Sequence, residues 1–212
     1  MRSIAQTQKR CYTVGAFIML HEEHLRTGMG EEAAAFVWET VKIVVISLAI
    51  IIPIRYYLVQ PFFVKGASME DNFHDKDYII IDKLGYRLHD PKRGDVVVFR
   101  FPQDEREYFI KRIIGLPGET VAIRKNTVTV YDDDNPRGQV LDESGYISRN
   151  QETLGDLTLR LDDNEYFVLG DNRLHSSDSR RWGPVNRTLM SGRAYIRLWP
   201  FNKILKIPRV TY

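Results

Sequence analysis

The sequence has a single cysteine, Cys11, in 212 residues. No intrachain disulfide can form, so packing and polar contacts must hold the fold. It also lacks a charge of one dominant sign: 30 Lys+Arg stand against 28 Asp+Glu. That balance implies no polyanion partner, and the basic residues are scattered rather than gathered on one helix, so nucleic acid is not expected. Zinc-type Cys/His spacing is missing, and His74, His89 and His175 show no metal-ligand pattern. Neither a metal nor another cofactor is expected. Internal repeats and low-complexity tracts are absent, which excludes solenoids and long linkers. Cys11 lies apart from every motif described below and reads as structural or incidental rather than catalytic.

Long apolar runs are scarce, with one exception. Ala33 to Ile54 reads AAAFVWETVKIVVISLAIIIPI. At roughly 1.5 Å per residue this segment spans a hydrocarbon core of about 30 Å. The span must include Glu39 and Lys42, which lie on one helical face and can pair or snorkel. Pro53 falls near the far end, and Arg55, Tyr56 and Tyr57 resemble an interfacial anchor. An amphipathic helix on a soluble core is the alternative. Arg2, Lys9, Arg10 and Arg26 precede the segment, whereas Arg55 and Lys65 follow it. The count favours the N-terminus inside and the large C-terminal part outside. A shorter apolar run, Cys11 to Leu20, has no small-residue cleavage site after it. Met29 leads directly into the apolar segment and is a candidate true start, with residues 1–28 a misassigned extension.

From Val59 onward short β-rich runs take over. They are Tyr78–Ile81, Asp95–Phe101, Phe109–Ile114, Thr120–Ile123, Thr127–Tyr131, Leu157–Leu161, Glu165–Leu169 and Gly192–Leu198. Turn signals separate them, among them Pro91-Lys92-Arg93-Gly94, Leu116-Pro117-Gly118 and Asn135-Pro136-Arg137-Gly138. Strands at this spacing without long alternating helices predict a mainly β, barrel-like domain. The expected organisation is an N-terminal extension over 1–32, a transmembrane helix over 33–57 and a β-rich domain over 58–212. The acidic, turn-rich stretch around 132–156 reads as an insert on that domain.

Three segments carry possible chemistry. In Val64-Lys65-Gly66-Ala67-Ser68-Met69, small residues precede a serine, leaving room for a substrate backbone. Alone, that serine is as well explained as a turn residue. Lys111 stands among Phe109, Ile110, Ile113 and Ile114, and in a strand shares a face with Phe109 and Ile113. Such a lysine is either an edge gatekeeper or a buried base. Desolvation would lower its pKa and let it take a serine proton. Arg112 would point to the opposite face and stay solvated or paired. The third segment, Gly170 to Arg180, is dense in small polar groups and suits a loop that orients the lysine; a solvated turn is the bland alternative. A triad using His175 and Asp178 is also possible, since geometry and not spacing defines one.

Taken together, these residues resemble the bacterial type I signal peptidases, membrane-anchored Ser/Lys endopeptidases. The likeness runs from about Ala33 to the C-terminus in four ordered blocks: Gly66-Ala67-Ser68-Met69, Gly94-Asp95-Val96-Val97-Val98-Phe99, Tyr108 to Gly118 and Gly170 to Arg180. The resemblance implies coiled antiparallel sheets around a Ser/Lys site, also the fold of self-cleaving Ser/Lys repressors, against which the membrane segment speaks. It implies Ser68 as nucleophile and Lys111 as general base. Ser176 would hydrogen-bond and orient the lysine, and Asp178 and Arg180 would form a supporting ion pair. The Ser68 N–H would help form an oxyanion hole, with Gly66 where some relatives place a serine donor. Gly66, Ala67 and Met69 would flank an extended substrate with small residues at −1 and −3, added as a strand. Partners would be precursor proteins bearing signal peptides and the lipid bilayer. The implied location is the plasma membrane, single-pass, with the β-rich domain on the extracytoplasmic side.

Some positions depart from the pattern. Asp71 stands where proline is usual, Leu174-His175 replace Asp-Asn, and Glu119 replaces Asp. Asp71 leaves open a second reading, a catalytically weak or silent membrane-tethered peptide-binding module.

Overall fold

The computed structural model describes residues 31–70, 72–148 and 151–212. Cys11, the run to Leu20, Met29 and Asp71 lie outside the described residues. The chain divides into two units, Met1–Pro53 and Ile54–Tyr212.

In the first unit, helix α1 (Glu31–Pro53) has 23 residues and is long and apolar enough to be a candidate membrane span. Its two opposite charges meet: Lys42 Nζ donates to Glu39 Oε1 at 2.7 Å. That removes much of the cost of carrying either charge in an apolar helix. The Thr40 hydroxyl donates to the Phe36 carbonyl one turn back, at 2.9 Å, so it too has a partner without leaving the helix.

The second unit opens with a five-residue π-helical turn, Ile54–Leu58, and is otherwise mainly β. The larger sheet takes the order β1-β2-β11-β3-β4-β9-β10, with β12 also pairing β11. Its members are β1 (Val59–Phe63), β2 (Tyr78–Asp82), β3 (Val96–Phe101), β4 (Asp104–Gly115), β9 (Glu165–Leu169), β10 (Val185–Asn186), β11 (Met190–Trp199) and β12 (Leu205–Lys206). The smaller sheet orders β7 (Gln139–Val140), β6 (Thr127–Tyr131), β5 (Thr120–Arg124) and β8 (Leu157–Arg160). Every pairing is antiparallel. The mainly β class expected from the spacing of the runs is thus the class of the fold. Two short helices, α2 (Gly85–Leu88) and α3 (Ser179–Trp182), lie between strands.

Strand alternation sorts the apolar residues into three clusters. In β3, Val96 and Val98 enter one cluster with Met69, Phe73, Ile79 and Ile110, while Val97 and Phe99 enter another with Ile113, Val168 and Val185. In β9, Tyr166 and Val168 face that second cluster, whereas Phe167 and Leu169 join a third with Val121, Ile123, Val130 and Leu161. The third cluster joins the two sheets. This period-two division is what a strand buried on both faces requires.

β1 contains Pro61, which has no N–H to give to a ladder. The strand pairs with β2 alone, at the sheet edge, where a residue without an N–H is tolerated. The stretch 132–156 is also more than a surface excursion. It supplies β7, buries Leu141, Tyr146 and Thr153, and its Tyr146 hydroxyl lies 2.7 Å from that of Tyr212.

Candidate active site

Strand β4 carries Lys111 into the site. Its residues from Arg112 to Gly115 pair with β9, whereas Tyr108 to Lys111 pair with β3 only. The second backbone edge of that stretch therefore borders a cleft. The cleft has a volume of about 680 Å³, and its opposite wall is the segment Phe62 to Ser68. Ile79, Val98 and Ile110 make its floor apolar, and His175 and Ser177 also line it.

Ser68 begins the turn after this wall. Gly66 has φ +84°, a left-handed conformation that glycine adopts without strain, and its N–H donates to Asp75 Oδ1 at 3.0 Å. The turn is clamped by the loop after β9. Asn172 N–H donates to the Ser68 carbonyl at 3.1 Å, and Asn172 Nδ2 donates to the Ala67 carbonyl at 3.0 Å. Met69 is buried, and its sulfur accepts from Asp171 N–H at 3.5 Å. Gly170 allows this close fit: a Cβ there would strike Ser176 and come within 2.5 Å of the Ser68 carbonyl oxygen. Among the described residues, no hydrogen bond occupies the Ser68 N–H.

Lys111 Nζ lies 2.7 Å from Ser68 Oγ and 2.9 Å from the Ile110 carbonyl oxygen. It also sits 5.3 Å from the centre of the Phe109 ring, the same-face neighbour that strand alternation predicts. The lysine is only 3% exposed. Burial lowers its pKa from 10.5 to about 8, against the opposing fields of the Asp178 and Asp171 carboxylates. A group of this kind loses its proton near neutral to mildly alkaline pH.

The expected contact from Ser176 to Lys111 is not formed. Ser176 Oγ is buried and without a hydrogen-bond partner, and the lysine directs its described bonds to Ser68 and to its own strand. The reason is geometric: Ser176 packs against Gly170, while the lysine reaches the serine across the sheet edge. Asp178 and Arg180 do pair, with Arg180 Nε 2.8 Å from Asp178 Oδ1 and Arg180 Nη2 2.9 Å from Oδ2. Gly170 N–H donates to the same carboxylate at 3.1 Å. Asp178 is thereby engaged, and His175 bonds to Asn172, so the structure does not assemble a His175–Asp178 triad.

The site holds a second buried pair, whose acidic partner the sequence does not point to. Arg112 takes the paired alternative: its Nε and Nη2 donate to Asp171 at 2.8 and 2.6 Å, with both side chains buried. Asn72 Nδ2 joins this carboxylate at 2.8 Å, and Arg173 reaches into the 132–156 stretch to pair with Glu143. The density of polar residues in Gly170-Asp171-Asn172-Arg173 was the available signal; their long-range partners had none. Glu119, in place of Asp, accepts from Leu116 N–H at 2.7 Å and pairs with Arg93, so the longer side chain closes its turn.

A serine hydroxyl within hydrogen-bond reach of a buried lysine has the geometry in which a base can activate a nucleophile. The family model described as signal peptidase, peptidase S26, matches residues 37–199. The chain is 38% identical over 175 residues to a probable signal peptidase I-2 of Synechocystis, covering 80% of this chain and 73% of that protein. A signal peptidase I of Bacillus licheniformis is 32% identical, with 80% and 92% covered. A crystal structure of a signal peptidase I from Enterococcus faecalis is 33% identical, with TM-score 0.41, over 50% of this chain and 97% of that one. The chain belongs to the signal peptidase, peptidase S26 family, and is a hydrolase of the serine endopeptidase class.

Proposed function

We propose that this protein removes N-terminal signal peptides from exported precursors by a Ser68–Lys111 dyad at the membrane surface. The 2.7 Å approach of Lys111 Nζ to Ser68 Oγ, inside a site that depresses the lysine pKa, carries the reading. In the neutral lysine, Nζ accepts the Ser68 hydroxyl proton as Oγ bonds to the scissile carbonyl carbon. The tetrahedral oxyanion takes the Ser68 N–H, with Gly66 offering no side-chain donor. Lys111 returns the proton to the leaving amine, giving the mature chain and an acyl-enzyme. Water, deprotonated by Lys111, then releases the signal peptide and frees Ser68. Asp178 and Arg180 hold the loop that presses Ser176 and Asn172 against the nucleophile turn.

The substrate lies extended in the cleft, bonding to the open edge of β4 and to the Gly66–Ala67 side. Ile79, Val98 and Ile110 receive its small residues. Helix α1 is the anchor and the β-rich unit is the peptidase, on the extracytoplasmic side of the plasma membrane. Its partners are precursor proteins and the bilayer; an embedded substrate gains effective concentration from shared residence there.

The test is cleavage of a precursor whose signal ends in Ala-x-Ala, in detergent or lipid, with the protein, Ser68→Ala and Lys111→Ala side by side. The expected outcome is cleavage after the last Ala, with both variants reduced roughly a thousandfold or more. Undiminished cleavage by folded Ser68→Ala would refute the proposal.

A further inference from the structure

A second cavity, of about 310 Å³, is lined by Gln60, Lys83, Arg87, Arg100, Arg187 and their neighbours. Four of its lining side chains are cationic and none is a carboxylate. They come from separate parts of the fold: Lys83 follows β2, Arg87 lies on α2, Arg100 on β3, and Arg187 in the 3-10 turn after β10. In a chain whose formal net charge is only +2, bringing four cations to one concavity is not an average property of the surface. Concave, low-dielectric walls also focus the field of such a group.

Arg87, Arg100 and Arg187 keep capacity for a ligand. Lys83 Nζ donates to Gln60 Oε1 at 3.3 Å. Arg87 lies over the Tyr57 ring, 5.0 Å from its centre. Arg187 lies over the Tyr86 ring at 5.5 Å and donates to the Tyr86 carbonyl. Neither Arg87 nor Arg187 has a described carboxylate within ion-pair distance. Arg100 pairs with Glu105 at 2.9 Å, where both are more than a third exposed; screening makes such a pair easy to exchange. Asp82 caps Gly85 N–H at 2.8 Å, and buried Asp95 accepts from the Tyr86 hydroxyl.

We propose that this cavity binds a phosphate group. Guanidinium forks match phosphate oxygens two at a time, and the volume admits a phosphate with several waters. Thr188 and Ser191 add hydroxyls to the lining. A phosphate-bearing lipid headgroup and free phosphate share this chemistry. The cavity is separate from the Ser68–Lys111 contact, although Tyr108 lines both spaces. The inference stands whether or not the dyad does.

The experiment uses the full chain in uncharged-detergent micelles, titrated by calorimetry in four arms: inorganic phosphate, added phosphatidylglycerol, added phosphatidylcholine and a soluble Glu-rich peptide. The protein is compared with Arg87→Gln and Arg187→Gln. Saturable binding of phosphate or phosphatidylglycerol, weakened tenfold or more in both variants, is expected. Inorganic phosphate binding identifies a soluble source as sufficient; phosphatidylglycerol binding without it identifies the lipid headgroup. Arg87 is exposed, so Arg87→Gln remains a fair test if Arg187→Gln fails to fold. Binding undiminished in Arg87→Gln, saturation by the peptide alone, or no binding of either inorganic phosphate or phosphatidylglycerol would overturn the proposal.

Discussion

A lysine with an ordinary pKa has a negligible neutral fraction at pH 7 with which to accept a serine proton, whereas one near 8 keeps about a tenth. Lys111 is held at about 8 because burial penalises its ammonium form more than Asp178 and Asp171 favour it. The same shift acts on stability. Between about 8 and 10.5 the unfolded chain binds the proton and the folded chain does not, so stability rises with pH across that window. Below about 8 both states are protonated and the cost is constant, about 3 kcal/mol. Lys111→Met should therefore be more stable than the parent at pH 7 by up to about 3 kcal/mol, with the difference shrinking toward pH 10.5. Denaturant unfolding in detergent at pH 7 and 10 checks this; a difference that grows with pH would contradict it. Ser176 gives a second prediction. Its hydroxyl is buried without a partner, a state that costs stability, while Lys111 has a third donor to share. Ser176→Ala should leave the thermal midpoint unchanged or raised. Turnover should fall about tenfold if the hydroxyl takes up the lysine during reaction. A lowered midpoint with full turnover would contradict this. Lys111 was legible because its apolar neighbours made a charge there conspicuous. The state of Ser176 was not, because a hydroxyl's partner depends on packing that spacing does not encode.

At the scale of elements, the site is a meeting of one strand and one loop. β4 is paired on both sides from Arg112 onward and on one side before it, so Lys111 stands where the sheet opens. Arg112, the next residue, ties β4 to the loop after β9 through Asp171. Removing one partner of a buried pair leaves an uncompensated charge, which costs about 3–5 kcal/mol. Arg112→Met should lower stability by about that amount and reduce turnover by freeing Asn172 from the turn that carries Ser68. Unfolding and precursor cleavage measured together would contradict the tie if both stayed at parent values. Of the strands, Thr127–Tyr131 and Glu165–Leu169 lie where their β-branched and aromatic runs place them. β1 was hidden by Pro61, and β7, β10 and β12 have two residues each, too few for alternation to show. The role of Arg112 was half legible: strand alternation turned it away from Lys111, but Asp171 is distant in sequence.

For the whole molecule, the C-terminal tail is a cross-link in place of the disulfide the chain cannot make. Ile207 packs with Met69 and Ile79, Arg209 Nε donates to buried Asp95 at 2.7 Å, and the Tyr212 hydroxyl meets Tyr146. Nothing in the tail's composition announced this, since its partners belong to three different segments. The apolar α1, by contrast, was legible from length and hydropathy alone. If α1 anchors the chain with the β-rich unit outside, protease added to intact spheroplasts should degrade that unit, while an intact membrane should protect residues N-terminal to α1. Protection of the β-rich unit in sealed spheroplasts, with digestion only after lysis, would contradict the orientation.

The dyad is tested most directly by the single-turnover rate of precursor cleavage as a function of pH, between about 6 and 10, on the full chain in lipid. With Lys111 as base, the rate should rise close to tenfold per pH unit below about 8 and level off above it, and Lys111→Ala should abolish the pH-dependent rate. A flat profile with chemistry limiting, or an inflection that survives Lys111→Ala, would contradict the account.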